Sequence, residues 1–263
     1  MEVVSPTSLA EALRVKAERP HAVPIQGGTD MMVELNFDRS RPELLLNLNE
    51  VAELRGWSRE NGTLRLASGL TYAEAMVAPL AELLPALAEA SRTVGSPQIR
   101  NRGTIGGNLG TASPAGDAQP PLLVESASVE LASVRGVRTM PLGEFLVGPK
   151  RNAAADDELI TAVQVAPSGA PQTFMKVGPR NAMVIAVCSL ALVADRERDE
   201  LRASFGSAGP VAGLVVAPLG EASSFAERVA EAASPIDDVR GTAAYRRHAL
   251  RVLTTRALER CLG

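Results

Sequence analysis

The stretch that decides the fold is TIGGNLGTASPAGDAQP, residues 104–120, which contains four glycines and two prolines. Glycine and proline are poorly suited to regular secondary structure, so we expect neither a helix nor a regular strand here. Backbone without Cβ atoms lets N–H groups approach and converge on phosphate oxygens. The stretch is therefore a candidate ligand-binding loop, and the alternative is a tight turn that satisfies only its own polar groups.

A second glycine cluster, PIQGGTDM at residues 24–31, follows a short strand candidate. Two such loops, one from each side, would clamp the diphosphate of a dinucleotide. Neither loop has the G-x-G-x-x-G spacing, and no G-K-[ST] occurs, so the Rossmann fingerprint and the P-loop are both disfavoured.

Composition excludes several classes of partner. Apolar residues make up 46% and charged residues 22%, as in ordinary globular proteins, while aromatic residues make up only 3%. The net charge is −3 without a dense basic tract, so we expect neither nucleic-acid nor membrane-surface binding. No apolar run reaches the roughly 18 residues of a membrane span. The N-terminal segment lacks the basic start and apolar core of a signal peptide, and we expect a soluble, cytoplasmic protein.

Cysteine and histidine are too few for most side-chain chemistry. Cys188 and Cys261 are the only cysteines, His21 and His248 the only histidines, and no C-x-x-C occurs. This chain alone therefore cannot bind a four-cysteine iron–sulfur cluster or a zinc ribbon. Neither histidine has a nucleophile-elbow or metal-binding context. We expect no catalytic residue and no metal ligand in this chain, so any chemistry belongs to a group that it binds.

The periodicity of the chain indicates mixed α and β structure. Ser8 and Glu11 have capping-box spacing at the start of a helix, and Asn61-Gly62 suits a type I′ hairpin turn. The remaining helix candidates up to residue 167 are TYAEAMV and LAELLPALAEASRTV, and the strand candidates are 43–48, 128–133 and 158–167. Pro167–Pro171, PSGAP, is the best domain boundary. Beyond it we expect strands in QTFMKVG, 183–195 and 200–209, and then a terminal helix.

Several motifs together resemble the flavin-binding subunits of the molybdenum hydroxylases, which include the FAD subunits of xanthine dehydrogenase and carbon monoxide dehydrogenase. The resemblance is carried by GGTD and, about 75 residues later, by T-I-G-G-N, A-S-P-x-G-D and P-x-L-L in order at the family's spacing. Further similar segments are DELITAV (157–163), FMKVGPR (174–180) and residues 237–260. The resemblance spans nearly the whole chain.

The resemblance implies an α+β fold with two domains. The first, residues 1–167, would be an FAD-binding domain of the PCMH or vanillyl-alcohol-oxidase-like type, with subdomains at about 1–54 and 55–167. The second, residues 168–263, would be a small α+β domain with a three-stranded antiparallel sheet. The boundary at PSGAP agrees with this division.

The resemblance also implies the residues that bind FAD. They are Pro24, Ile25, Gln26, Gly27, Gly28, Thr29, Asp30 and Met31 in the first loop, Thr104, Ile105, Gly106, Gly107 and Asn108 in the second, and Asp117, Ile160 and Lys176. Some have plainer alternatives: Lys176 as a solvated strand lysine, Thr29 and Asp30 as helix caps, and Asn108 as a turn residue. Val94 departs from the phenylalanine of the animal xanthine dehydrogenases, which leaves ring stacking there open. No histidine or cysteine lies in either loop, so FAD is expected to be bound non-covalently.

The implied function is that of an electron-transfer subunit, most similar to the xanthine dehydrogenase group. Its partners would be a large subunit with the molybdenum cofactor and a small subunit with [2Fe-2S] clusters, and it would pass electrons through FAD to NAD or another acceptor. Alternatives are a free-standing FAD-dependent oxidoreductase on a related fold and a non-catalytic scaffold subunit that has lost FAD.

Overall fold

The computed structural model describes all residues, 1–263, and shows mixed α and β structure. Its strands, numbered along the chain, are β1 Glu2–Val4, β2 Val23–Ile25, β3 Leu44–Asn47, β4 Trp57–Glu60, β5 Thr63–Ala67, β6 Ser128–Ser133, β7 Gly136–Pro141, β8 Leu146–Gly148, β9 Arg151–Asn152, β10 Leu159–Val165, β11 Gln172–Val177, β12 Cys188–Asp195, β13 Glu200–Gly206 and β14 Gly213–Ala217. Its α-helices are α1 Leu9–Glu18, α2 Met31–Asn36, α3 Tyr72–Ala75, α4 Leu80–Leu83, α5 Pro85–Thr93, α6 Pro97–Arg100, α7 Ile105–Thr111, α8 Gln119–Val124, α9 Leu142–Phe145, α10 Ala222–Ala232 and α11 Ala243–Leu262. None of these helices is long and apolar enough to cross a membrane.

The strands form three main sheets. The first is a parallel sheet in the order β1-β3-β2, and the second is an antiparallel sheet in the order β4-β5-β10-β6-β7. The third is an antiparallel sheet in the order β11-β12-β13-β14. The largest hydrophobic cluster lies between the second sheet and helices α5, α7 and α8, and another lies between the third sheet and helices α10 and α11. β8 and β9 form a separate two-stranded hairpin.

Local sequence signals account for several of these elements. The Ser8 side chain accepts a hydrogen bond from the Glu11 backbone N–H at 3.2 Å and caps α1, as the spacing predicts. Asn61 and Gly62 both have positive φ, 50° and 84°, which is the type I′ turn expected between β4 and β5. The expected terminal helix is α11. LAELLPALAEASRTV forms two helices rather than one, because Pro85 begins a new helix at a position where its missing N–H costs nothing.

The prediction that 104–120 contains no helix is wrong. Residues 105–111 form α7, and α8 begins at Gln119 with two prolines in its first turn. Thr104 caps α7 by accepting a hydrogen bond from the Gly107 N–H at 3.0 Å. Ile105 and Leu109 are fully buried, so their packing outweighs the roughly 1 kcal/mol that each glycine costs a helix.

The third sheet also differs from expectation. It has four strands rather than three, because the segment after β13 turns back and β14 pairs along it. In the apolar run 183–195 only Cys188–Asp195 forms a strand. Met183 has a φ of 54°, which ends strand geometry there, and the side chains of Met183 and Ile185 are more than half exposed.

The third sheet is docked through carboxylates to the part of the chain that precedes it. Glu125 accepts a hydrogen bond from the Gln172 side chain at 2.6 Å, and Glu89 accepts one from the Phe174 N–H at 2.7 Å. Both donors lie on β11, the edge strand of the third sheet. These contacts hold β11 beside a cleft that both glycine segments line.

Candidate functional site

A cleft of about 860 Å³ lies where the three main sheets meet, within the usual size range of ligand sites. It is lined by both glycine segments, by residues on and before β10, and by 183–185 from the loop between β11 and β12. All of the residues predicted to bind FAD line this cleft except Ile105 and Lys176. Folding thus brings together predicted residues as far apart in the sequence as Pro24 and Ile160.

The first glycine loop presents its backbone donors without partners. The N–H groups of residues 26–31 donate no hydrogen bond to any backbone or side-chain atom of the chain. Gly28 has a φ of +74°, a conformation that only glycine adopts without strain, and it turns the chain between β2 and α2. Consecutive unpaired N–H groups in a glycine turn form a concave donor surface suited to phosphate oxygens.

The two glycine segments touch each other at Gly27. A Cβ atom on Gly27 would overlap the carbonyl oxygen of Arg102 and approach Gly103 Cα at 3.1 Å. A glycine is therefore required where the first loop crosses the chain that leads into the second segment. This contact sets the distance between the two walls of the cleft.

The N–H groups of residues 105–108 in the second glycine segment are not free to bind a ligand, although the sequence suggested that they would be. The Ile105 N–H donates to Leu70 O, Gly106 N–H to Ser68 O, Gly107 N–H to the Thr104 hydroxyl and Asn108 N–H to Thr104 O, all at 2.9–3.0 Å. These donors are used within the chain, so the convergence of free amides that was expected from both loops exists only in the first. Asn108 lies within α7 and has no positive φ, which rules out the turn-residue alternative.

The glycine at 106 permits a close approach of α7 to β5. A Cβ atom there would lie 2.5 Å from Ser68 Cβ and 2.7 Å from Ser68 O, which no side chain can tolerate. Ile105, the predicted residue absent from the cleft wall, is instead fully buried in the main hydrophobic cluster. Gly106 therefore serves packing, and Asn108, which follows the glycine pair, lines the cleft.

Four buried polar atoms of cleft-lining residues have no hydrogen-bond partner in the chain. They are Gln26 Nε2, Ser68 Oγ, Asn108 Oδ1 and Asp117 Oδ1. Buried polar groups in native proteins are nearly always paired, so such a cluster indicates a ligand with both donors and acceptors. Together with the free N–H groups of the first loop, these atoms fit a dinucleotide such as FAD, which carries a diphosphate, hydroxyls and a hydrogen-bonding ring.

Asp117 and Lys176 form a buried ion pair at the cleft wall. Lys176 Nζ is 2.6 Å from Asp117 Oδ2, and the two side chains are 4% and 9% exposed. Burial raises the pKa of the Asp117 carboxyl, and the positive charge of Lys176 offsets part of that rise. Lys176 lies behind Asp117 rather than on the cleft surface, and its burial excludes the alternative of a solvated lysine.

Tyr72 and Ile160 supply other parts of the wall. Burial raises the pKa of the Tyr72 hydroxyl well above its ordinary value, and the negative charges of Asp117 and Asp30 add to the effect. Ile160 lines the cleft at the point where the register of β10 with β6 becomes irregular, and a Cβ on Gly110 would lie 3.6 Å from its Cδ1. Val94 also lines the cleft, where it presents an aliphatic rather than an aromatic surface.

The caps proposed for α2 are absent. Asp30 occupies the N-cap position, but its side chain makes no capping hydrogen bond. Its Oδ2 instead accepts a hydrogen bond from the Thr111 hydroxyl at 2.9 Å, at the far end of α7. Neither Thr29 nor Asp30 is therefore explained by helix capping.

Sequence reasoning missed several polar residues of the cleft wall. These are Lys16, Glu34, Lys150, Asn152, Asp156 and Glu158. Lys16 Nζ donates to Pro20 O and Ala22 O at 2.6 and 2.7 Å, and burial lowers its pKa. They come from separate elements and share no local motif, so nothing in the sequence marks them. No group of three or more His, Cys, Asp and Glu side chains is arranged to hold a metal ion.

Comparison with known proteins gives a consistent result. Residues 1–168 match the family model described as "FAD binding domain in molybdopterin dehydrogenase". The chain is 28% identical over 274 residues to the xanthine dehydrogenase FAD-binding subunit of Escherichia coli O157:H7, covering 97% of this chain and 94% of that protein. It is 36% identical over 195 residues to the nicotinate dehydrogenase FAD-subunit of Eubacterium barkeri, covering 71% of this chain and 66% of that protein.

The fold agrees with a solved structure of carbon monoxide dehydrogenase from Hydrogenophaga pseudoflava. The TM-score is 0.92 at 24% sequence identity, with 100% of this chain and 97% of that chain covered. At this identity the likeness establishes the fold.

Proposed function

The chain belongs to the family of FAD-binding domains of molybdopterin dehydrogenases. We propose that it binds FAD in the 860 Å³ cleft. We also propose that it carries electrons between partner subunits and a soluble acceptor. It is an oxidoreductase flavoprotein subunit of the molybdenum hydroxylase family. Partner subunits in this family carry the molybdenum cofactor and the iron–sulfur clusters. The finer assignment, that the complex is of the xanthine dehydrogenase type, is our proposal and is supported by the match along 97% of the chain.

The observation that carries the proposal is the run of unpartnered N–H groups at residues 26–31. An unpaired N–H at the wall of a cleft costs free energy unless water or a ligand accepts its hydrogen bond. Six consecutive N–H groups, on a turn that contains Gly27 and Gly28, suit a doubly charged diphosphate better than any neutral group. We assign the diphosphate of FAD to this loop.

The other predicted residues would hold the remaining parts of the cofactor. Asp117 Oδ1 and Asn108 Oδ1 are buried acceptors without partners, and they suit hydroxyl or N–H donors of FAD. Ile160 offers an apolar contact, and Gly106 lets α7 pack closely against Ser68 beside the cleft. The isoalloxazine supplies the two-electron redox chemistry, and the chain supplies orientation, electrostatics and exclusion of water.

We further propose that residues 1–167 are the FAD-binding domain, with subdomains at about 1–54 and 55–167, and that 168–263 form the C-terminal domain. The end of the family match at residue 168 and the separate hydrophobic cluster of the third sheet support this division. Residues 183–185 reach the cleft from the second domain, so both domains would contribute to the cofactor site.

Relatives of this chain are subunits of larger enzymes, and we propose that this chain assembles in the same way with a large molybdenum subunit and a small [2Fe-2S] subunit. NAD is the proposed acceptor by analogy with the xanthine dehydrogenase group. A cytoplasmic location remains a prediction from the sequence.

The test uses the complex purified from the native host and the full chain produced alone. We expect FAD at one per chain in the complex, bleaching of its 450 nm absorbance by xanthine under anaerobic conditions, and recovery on addition of NAD. The isolated chain should bind FAD but show no bleaching with xanthine. Bleaching of the isolated chain would instead support a free-standing oxidoreductase, and a chain that binds no FAD at saturating concentration would contradict the proposal.

A further inference from the structure

A short helix, α2, follows the free-amide loop and is almost without apolar anchorage. None of its residues is buried, none belongs to a hydrophobic cluster, and the side chains of Met32 and Val33 are about half exposed. Most helical stability in proteins comes from packing of an apolar face, which α2 lacks. Something else must hold this helix and the loop before it.

Two polar bridges join α2 to the opposite wall of the cleft. Lys150 Nζ lies 2.8 Å from Glu34 Oε1, and the Thr111 hydroxyl donates to Asp30 Oδ2 at 2.9 Å. All four residues line the cleft. The hydrogen bond from the Lys150 ammonium lowers the pKa of the Glu34 carboxyl, which favours its charged form.

The wall that receives these bridges is itself firmly built. Lys150 N–H donates to Ala112 O at 2.9 Å and the Asn152 side chain donates to Gly110 O at 2.9 Å, so the β8–β9 turn is fastened to the end of α7. The helix α7 is in turn anchored by Ile105 and Leu109 in the main cluster. The bridges therefore connect a weakly packed helix to a rigid support.

We propose that Lys150 and Thr111 are positioning residues that hold α2 as a strap across the cleft, acting through Glu34 and Asp30. The strap keeps the amides of residues 26–31 turned towards the bound diphosphate, and it must open for the cofactor to leave. This inference rests on the proposed function, because it concerns how long FAD stays in the cleft.

A direct contact between Lys150 and a phosphate is the competing account, and the two differ for Glu34. If the ammonium acts on Glu34, Glu34→Gln speeds FAD release. If it acts on phosphate, Glu34→Gln leaves release unchanged or slows it, because the ammonium is freed. Arg39 is another cation close to Glu34 and can partly replace Lys150, which makes Glu34→Gln the more informative variant.

The experiment follows FAD release from the full chain, after dilution, by the recovery of flavin fluorescence as free FAD appears. Exposed ion pairs are individually weak, so we expect Glu34→Gln and Lys150→Met to speed release only about two- to fivefold. Lys150→Arg should stay close to wild type, and the exchange E34K/K150E should recover slow release. Thr111→Val should speed release, whereas Thr111→Ser keeps the hydroxyl and should not.

Two controls separate the strap from general damage. Glu227→Gln breaks an exposed pair with Arg251 between α10 and α11, far along the chain from the cleft residues, and should leave release unchanged. The melting temperature of each apo variant should stay close to that of wild type, because no residue of α2 belongs to a hydrophobic core. Unchanged release in Glu34→Gln, or no recovery in the exchange variant, would overturn the strap while the proposed function stands. A wild-type chain that binds no FAD would overturn both.

Discussion

Replacing Lys176 by methionine tests the buried ion pair at the cleft wall. Methionine keeps most of the apolar volume of the lysine stem but removes the ammonium that lies 2.6 Å from Asp117 Oδ2. Asp117 Oδ1 already has no partner in the chain, so the variant carboxylate would be buried with no charge beside it. Removing one member of a buried pair costs about 3 to 5 kcal/mol, and we expect the free energy of unfolding at pH 7 to fall by about 3 kcal/mol.

The loss should depend on pH in a direction that the structure fixes. Burial already raises the pKa of Asp117 in the folded wild-type chain, and removal of Lys176 raises it further. Between the ordinary pKa of an aspartate, about 3.9, and this raised value, the folded variant binds a proton that the unfolded chain does not. Stability of the variant relative to wild type must therefore fall as pH rises through that window and recover as pH is lowered.

Urea unfolding of the full chain at several pH values between 5 and 8 would measure this, with Asp117→Asn and the double variant D117N/K176M as references. The double variant carries no charge at either position and should regain most of the loss at pH 7 with no pH dependence from this site. A Lys176→Met chain within 0.5 kcal/mol of wild type at pH 7, or a penalty equal at every pH, would refute the reasoning.

Three further changes test the packing of the glycine loops and the mode of flavin attachment. Gly106→Ala should lower the free energy of unfolding by about 1 to 2 kcal/mol, because the overlap of the new Cβ with Ser68 costs more than the gain in helix propensity. Gly220→Ala is the matched control, since a Cβ there meets open space, and its free energy of unfolding should stay within about 0.5 kcal/mol of wild type. Gly27→Ala should weaken FAD binding about tenfold, or about 1.4 kcal/mol, because the new Cβ pushes the first loop away from the Arg102 carbonyl. Fluorescence titration with FAD would measure this, and an affinity equal to that of wild type would mean that the position of the loop is unimportant. Acid or heat denaturation should release all flavin into the supernatant, since neither loop has a histidine or cysteine, and flavin that sediments with the polypeptide would contradict this.

Local chemistry made part of the fold predictable. The Asn61-Gly62 turn, the Ser8 cap and the terminal helix depend on neighbours within a few residues, and all three appear as expected. The resemblance of the motifs also selected residues that the fold places near one another, among them Asp117 on the cleft wall and Lys176 behind it, from opposite sides of the proposed domain boundary. The turn, the cap and the terminal helix could be predicted without knowledge of the rest of the chain.

The helical state of residues 105–111 could not be predicted in this way. Glycine content argues against a helix locally, but the contact of Gly106 with Ser68 and the burial of Ile105 and Leu109 decide the outcome. The same packing uses up the amides that the sequence suggested for phosphate. Tertiary contacts overrode propensity, and of the two predicted loops only the first keeps a continuous run of free N–H donors.

The strap residues show a second limit of sequence reasoning. Lys150 and Glu34 are 116 residues apart, and neither stands in a motif. The apolar residues 183–187 were expected to extend a strand, because a short apolar loop that lines a cleft has the same hydrophobic pattern as a buried strand. Only the folded arrangement separates these cases.

The most direct test of diphosphate binding by the first loop is the NMR spectrum of the backbone amides of the deuterated full chain, recorded with and without FAD. If the first loop binds the diphosphate, the N–H groups of residues 26–31 should shift strongly and become protected from hydrogen exchange when FAD is added. Those of Ile105 to Asn108, which already donate within the chain, should be protected in both states. Unchanged amides at 26–31 in an FAD-saturated sample would contradict the account.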